Sequence, residues 1–262
     1  MSERAMTAKA VSQRGLHARS LISVLTIIAL WEAAARAGLT PALFLPPFTK
    51  VIAEWWAVCA DGSLPLDLAV SLSRAAVGLC LAAAIGIPLG IAMARSRLLH
   101  WLFDPVIALA FPSPKIAFLP IFILWFGIYS LSKILLVAFA CVFPILIGSF
   151  AAASSVNRVL IWSASSLGTS RITMLFRIVL PAAWPRIFAS LRVSLPVSLI
   201  TTFTAEMVSG GGGMGASLMY SQRFFESPTV FAYILTMLGI GLLLDSVMLK
   251  IQAASPAWSA AS

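Results

Sequence analysis

The sequence predicts an all-helical, polytopic membrane protein with about six transmembrane helices. Three observations lead there: an excess of apolar residues, a set of uncharged runs of spanning length, and an uneven distribution of Lys and Arg. Of the 262 residues, 60% are apolar and 10% charged, and the mean hydropathy is +0.99. A soluble domain carries roughly 25% charged residues, so the apolar excess calls for lipid as its solvent.

A span needs roughly 20 apolar residues to cross ~30 Å of hydrocarbon. The chain is uncharged from Ala75 to Ala94, from Ile134 to Asn157 and from Ser227 to Leu244. Pro105 to Gly127 is broken only by Lys115, and Val193 to Val208 only by Glu206. Leu21 to Gly38 makes the sixth span. Its basic leader (Arg4, Lys9, Arg14, Arg19) resembles a signal peptide, but the apolar run continues through Glu32 and Arg36, which favours an uncleaved first span.

Cationic residues accumulate on the cytoplasmic side of multi-pass proteins. With a cytoplasmic N-terminus, that side receives Arg4, Lys9, Arg14, Arg19, Arg95, Arg97, Arg158, Arg171, Arg177, Arg186, Arg192 and Lys250. The other side receives Arg36, Lys50, Arg74, Lys133 and Arg223. The asymmetry places both termini in the cytoplasm: a segment 1–20, a membrane domain 21–250 with a polar loop 157–192, and a tail 251–262. The net charge of +9 is interrupted by long apolar runs, which argues against nucleic acid as a partner.

Each connecting segment has its own signals. Between the first two spans, prolines 41, 46, 47 and 65 surround a short helix, Thr49 to Cys59, with Thr49 as its N-cap and its Trp residues at the outer membrane surface. Pro112, Pro114 and Pro120 break the third span, which membranes accept only where protein or water satisfies the freed carbonyls. In the loop 157–192 a first short helix ends at Gly168, and Thr169 or Ser170 caps a second that stops at Pro181. The second helix carries an apolar stripe, Ile172, Leu175, Phe176 and Val179.

Catalytic and metal-binding patterns are missing from the sequence. Cys59, Cys80 and Cys141 are isolated, and His17 and His100 join no recognised motif. Gly210 to Gly213 is not followed by the Gly-Lys-Ser/Thr of a phosphate-binding loop, so the run reads as a turn and no cofactor is expected on this chain. Glu206 is the acid that stands out, because a carboxylate at bilayer depth needs a partner, water or a role. It either lines a pathway or fixes the fifth span to a neighbour; Lys115 is the second intramembrane charge, and Asp104 and Asp245 fall near helix ends.

The string Ser163 to Ser170, followed by Ile178-Val179-Leu180-Pro181, resembles the EAA loop of binding-protein-dependent ABC importer permeases. Leu45-Pro46-Pro47-Phe48, Gly86 to Gly90, Trp125-Phe126-Gly127, Phe143-Pro144-Ile145 and Ala205-Glu206-Met207 are similar to the nitrate/sulfonate/taurine-type branch. The resemblance covers Pro41 to Lys250. It implies an inner-membrane permease of the type I fold, paired with a second permease subunit, two ATPase subunits and an external solute-binding protein. It also implies small organic or inorganic anions as cargo and a coupling loop, residues Trp162, Ser163, Ala164, Leu167, Gly168, Thr169, Ser170 and Pro181, seated in the ATPase. One departure stands out: in the frame set by Gly168 the family's acidic residue falls on Trp162 and its first alanine on Ser163. A secondary transporter should instead show more intramembrane acids and an inverted repeat. An intramembrane enzyme should show clustered polar residues.

Overall fold

The computed structural model describes residues 22–254. The expected N-terminal segment 1–20, the start of the first span and most of the tail 251–262 lie outside the described residues. Helix follows helix: α1 (22–36), α2 (Phe48–Ala60), α3 (Ser63–Arg95), α4 (Arg97–Ala110), a 3-10 turn Lys115–Phe118, α5 (Leu119–Phe126) and α6 (Ser130–Ser154). After these come α7 (Arg158–Ser166), α8 (Arg171–Met174), a π-turn Leu175–Val179, α9 (Leu180–Ser209), α10 (Met214–Arg223) and α11 (Ser227–Ala254). Among the described residues four helical stretches are long and apolar enough to cross a membrane: Ser63–Arg95, Ser130–Ser154, Ile172–Ser209 and Ser227–Ala253. A fifth span results if α4 and the Lys115–Phe126 segment, bent by 95° at the proline-rich break, count as one.

The chain forms two compact units, one from residues up to Ser63 with Tyr220–Ile234, the other from Leu64–Met219 with the chain from Leu235 onward. In the first, the Trp31 indole donates to the Pro46 carbonyl at 3.0 Å and packs on Phe48 and Phe231, with ring centroids 5.4 and 5.2 Å away. Thr49 does not cap α2. Pro47 holds the N-cap position, and the Glu32 carboxylate accepts from the Thr49 backbone N–H at 3.2 Å and its hydroxyl at 2.9 Å. The orphan donor of the first turn is thus satisfied from α1. Val51 and Val58 face inward, while Ile52 and Trp56 face out.

In the second unit α6 is the central helix, with α3 and α9 packed against it. Small residues four apart make this possible, since without a hydrophobic drive between helices in lipid, close backbone approach supplies the packing. A Cβ on Gly78 would lie 2.6 Å from Val137 of α6, and one on Gly148 of α6 would lie 2.3 Å from Ser190 of α9. Ser190, Ser194, Ser198 and Thr202 continue the α9 stripe, all buried. Each hydroxyl donates to a carbonyl three or four residues back in its own helix. They therefore serve as small packers with satisfied protons.

Two charges expected in outer loops are buried inside the helical unit instead. Arg74 lies on α3 and Lys133 on α6, 4% and 0% exposed. The helices overrun the uncharged stretches because protein, rather than lipid, surrounds these side chains. Pro181 likewise does not stop a helix: the chain stays helical from Ile172 to Ser209. The π-turn just before it makes this possible. Leu180 N–H reaches back five residues to the Leu175 carbonyl, and the widened turn accommodates a ring that lacks the next donor.

Candidate functional site

The polar loop 157–192 folds as a hairpin of short helices. Asn157 caps α7, its side-chain oxygen accepting from Val159 N–H at 2.9 Å. At the other end Thr169 N–H bonds to the Ala164 carbonyl at 3.1 Å, and Gly168 N–H to the Ser165 carbonyl at 3.0 Å. With Gly168 at φ +73°, this pair of bonds is the Schellman pattern of a helix C-terminus. Ser170 then accepts from Thr173 N–H at 3.2 Å, capping the first turn of α8.

Inward residues anchor the hairpin. Ala164 is buried, and Ile161, Met174, Leu175 and Val179 join a core with Ile91 of α3, Ala152 and Ala153 of α6, and Ala183 and Ile187 of α9. Outward, Trp162 is 62% and Leu167 85% exposed, with Ser163, Ser170 and Pro181 also exposed and Thr169 half-buried. Two large apolar side chains thus project at a turn where chains ordinarily place polar groups.

At the far end of α9, 26 residues beyond Leu180 and thus about 40 Å along the axis, lies a buried polar web. Arg74 Nη1 pairs with Glu206 Oε1 at 2.7 Å, with both side chains enclosed. The same nitrogen donates to the Gly212 carbonyl at 2.7 Å, Nη2 to the Gly211 carbonyl at 2.9 Å, and Nε to the Ser130 hydroxyl at 3.1 Å. Glu206 Oε2 accepts from the Ser71 hydroxyl at 2.8 Å and from Gly215 N–H at 3.1 Å. Met214 N–H returns to the Ser71 oxygen at 2.9 Å, and Gly213 N–H reaches Asp67 Oδ1 at 3.3 Å. Beside the web, the buried Lys133 ammonium donates to the Ile128 carbonyl at 3.0 Å. The run Gly210 to Gly213 is therefore a turn clamped to α3 by Arg74.

Lys115 directs its hydrogen bonds to its own segment rather than to Glu206. Its ammonium donates to the carbonyls of Ala110, Phe111 and Ser113 at 2.8, 2.7 and 2.8 Å. It closes the end of α4, where Pro112 and Pro114 leave carbonyls without helical donors. Asp245 lies within α11 and forms a two-point pair with Arg192 of α9, at 2.8 and 3.1 Å. Sequence reasoning assigned no role to Ser71, Arg74 or Lys133. The signal was available: an acid inside an apolar run requires a cation, and Arg74 and Lys133 border the two neighbouring uncharged runs. Among the described residues no three His, Cys, Asp or Glu side chains gather as metal ligands would.

Comparison with known proteins bears on this arrangement. The family model described as "Binding-protein-dependent transport system inner membrane component" matches residues 86–254. The chain is 34% identical over 244 residues to the taurine transport system permease protein TauC of Escherichia coli (strain K12), covering 91% of this chain and 89% of that protein. It is 31% identical over 228 residues to SsuC of Bacillus subtilis (strain 168), provisionally named an aliphatic sulfonates transport permease protein, covering 87% and 83%. In fold it is similar to a chain of the MetNI methionine ABC transporter in an inward-facing crystal form, with a TM-score of 0.67 at 15% identity, covering 73% of this chain and 95% of that one. An amino acid ABC transporter gives 0.60 at 14% identity, covering 75% and 94%.

Proposed function

Since the chain belongs to the family of binding-protein-dependent transport system inner membrane components, and is thereby a permease subunit of an ATP-binding-cassette importer, we propose that it carries a small sulfonate or related organic anion across the inner membrane. The hairpin couples it to a cytoplasmic ATPase, which binds and hydrolyses the ATP. A second copy of this chain completes the pathway, an external solute-binding protein delivers the cargo, and both termini are cytoplasmic. The chain itself catalyses no reaction.

One observation carries the coupling role: a tip, closed by the Gly168 turn, that exposes Trp162 and Leu167 while Ala164 is buried. ATP-driven closure of the ATPases moves such a tip as a body, and the continuous helix Ile172–Ser209 transmits the motion into the bilayer. Differential affinity for two conformations then drives the change of access. Glu206 is a positioning residue in this reading, because its carboxylate is consumed by Arg74, Ser71 and Gly215.

The cargo follows from the relatives, whose names specify taurine and aliphatic sulfonates. The test combines two measurements on the assembled transporter. Leu167→Cys, in a background without the native cysteines, should crosslink to the ATPase subunit. Proteoliposomes should accumulate a small sulfonate when supplied with ATP and the binding protein. Labelling of Leu167→Cys from the periplasmic side would overturn the coupling role, and ATP-driven uptake of other solutes but not sulfonates would overturn the cargo.

A further inference from the structure

A groove of about 650 Å³ runs between the Arg95 end of α3 and the second arm of the hairpin. Ile87, Pro88 and Ile91 of α3 form one wall, and Ile172 and Phe176 stand on the other. Among the described lining residues the charge is brought by one side chain, Arg95, which gives an Nη2 hydrogen to the Ala153 carbonyl at 2.9 Å. From Arg95 back to Ile87 is eight residues of helix, about 12 Å along the axis. The groove therefore descends from the basic rim of a span to hydrocarbon depth.

That geometry matches one chemistry, an anionic head on a hydrocarbon tail. An extended protein segment filling the groove would carry backbone N–H and C=O groups to a depth where nothing pairs them. A free phosphate would reach Arg95 and leave the apolar slot unfilled. We propose that the groove binds an anionic phospholipid of the inner membrane, its acyl chain along Ile87, Pro88 and Ile91 and its phosphate on Arg95. The lipid packs against Ile172 of α8 and Phe176 of the π-turn, and so lies against the hairpin without occupying its tip. The assignment rests on the membrane location of the chain and is independent of what the tip docks on.

The test uses the assembled transporter in nanodiscs of equal phosphatidylglycerol and phosphatidylcholine, with the lipid retained after extraction counted by native mass spectrometry. One basic side chain near a membrane surface favours an anionic lipid by about fivefold, and that preference is expected for the wild type. Arg95→Gln should abolish it, whereas Arg97→Gln, whose side chain lies outside the groove, should keep it. Ile172→Trp fills the slot from its exposed wall and should lower retention of both lipids, with Ala92→Phe as a second filler. Unchanged preference in Arg95→Gln, or undiminished retention in both filled variants, would overturn the proposal. A photocrosslinking residue at position 176 should capture lipid; capture of the ATPase instead would identify the groove as a protein-docking surface and refute the lipid assignment.

Discussion

Gly212 and Gly213 are neighbours in one turn, with φ of +78° and +97°, and their surroundings separate them. A Cβ on Gly212 meets nothing within 4 Å, whereas one on Gly213 would stand 2.3 Å from Glu206 Oε1. Gly212→Ala should therefore cost only the left-handed backbone penalty, about 1–2 kcal/mol. Gly213→Ala should cost more, because it also pushes the carboxylate off Arg74. Thermal unfolding in detergent checks the order, and equal losses would contradict the geometry. A second contrast concerns the two interhelical ion pairs. Glu206→Gln leaves a buried guanidinium without its counter-ion, a change that typically costs about 3–5 kcal/mol. Asp245→Asn acts on a pair that is a third exposed and should change uptake and stability far less. The sequence marked Glu206 as needing a partner, yet nothing local identified Arg74, which lies 132 residues away.

Among the elements, the hairpin was the most legible, because its turn is written in consecutive residues. Gly168 has open space around its Cβ position, so its requirement is backbone conformation alone. Gly168→Val should abolish ATP-driven uptake while membrane insertion is retained. Gly168→Asn should keep much of the uptake, since Asn tolerates the left-handed region. Equal activity of the two variants in proteoliposomes would remove the Schellman turn from the mechanism. Pro181 was read as a stop because proline ends most helices. A π-turn cannot be foreseen from composition; it depends on how α9 packs through Ala183 and Ile187 against the ends of α3 and α6.

Across the membrane unit, α6 packs against both α3 and α9 through small residues. Gly148→Leu would set a branched side chain where Ser190 already lies 2.3 Å from a Cβ. It should separate α6 from α9 and lower the yield of folded protein in detergent. Ala84→Leu, on an exposed α3 position, should be milder, and size-exclusion profiles of the two variants measure the difference. The expected span count of about six stands against four to five among the described residues. The first expected span begins outside them, and the third is broken by its prolines.

The sequence alone determined the solvent of this protein, the approximate position of its spans, the hairpin and its glycine turn, and the family to which these belong. All of these depend on averages or stereochemistry within short stretches of chain. Only the tertiary structure decided that Arg74 and Lys133 are buried, that Arg74, paired with Glu206, clamps the glycine turn, that Lys115 closes α4, and that a groove lies beside Arg95. The physical reason is rotational: each residue turns a helix by about 100°, so the side chains that meet depend on the angle at which each helix is set against its neighbours. Hydropathy averages do not contain that angle.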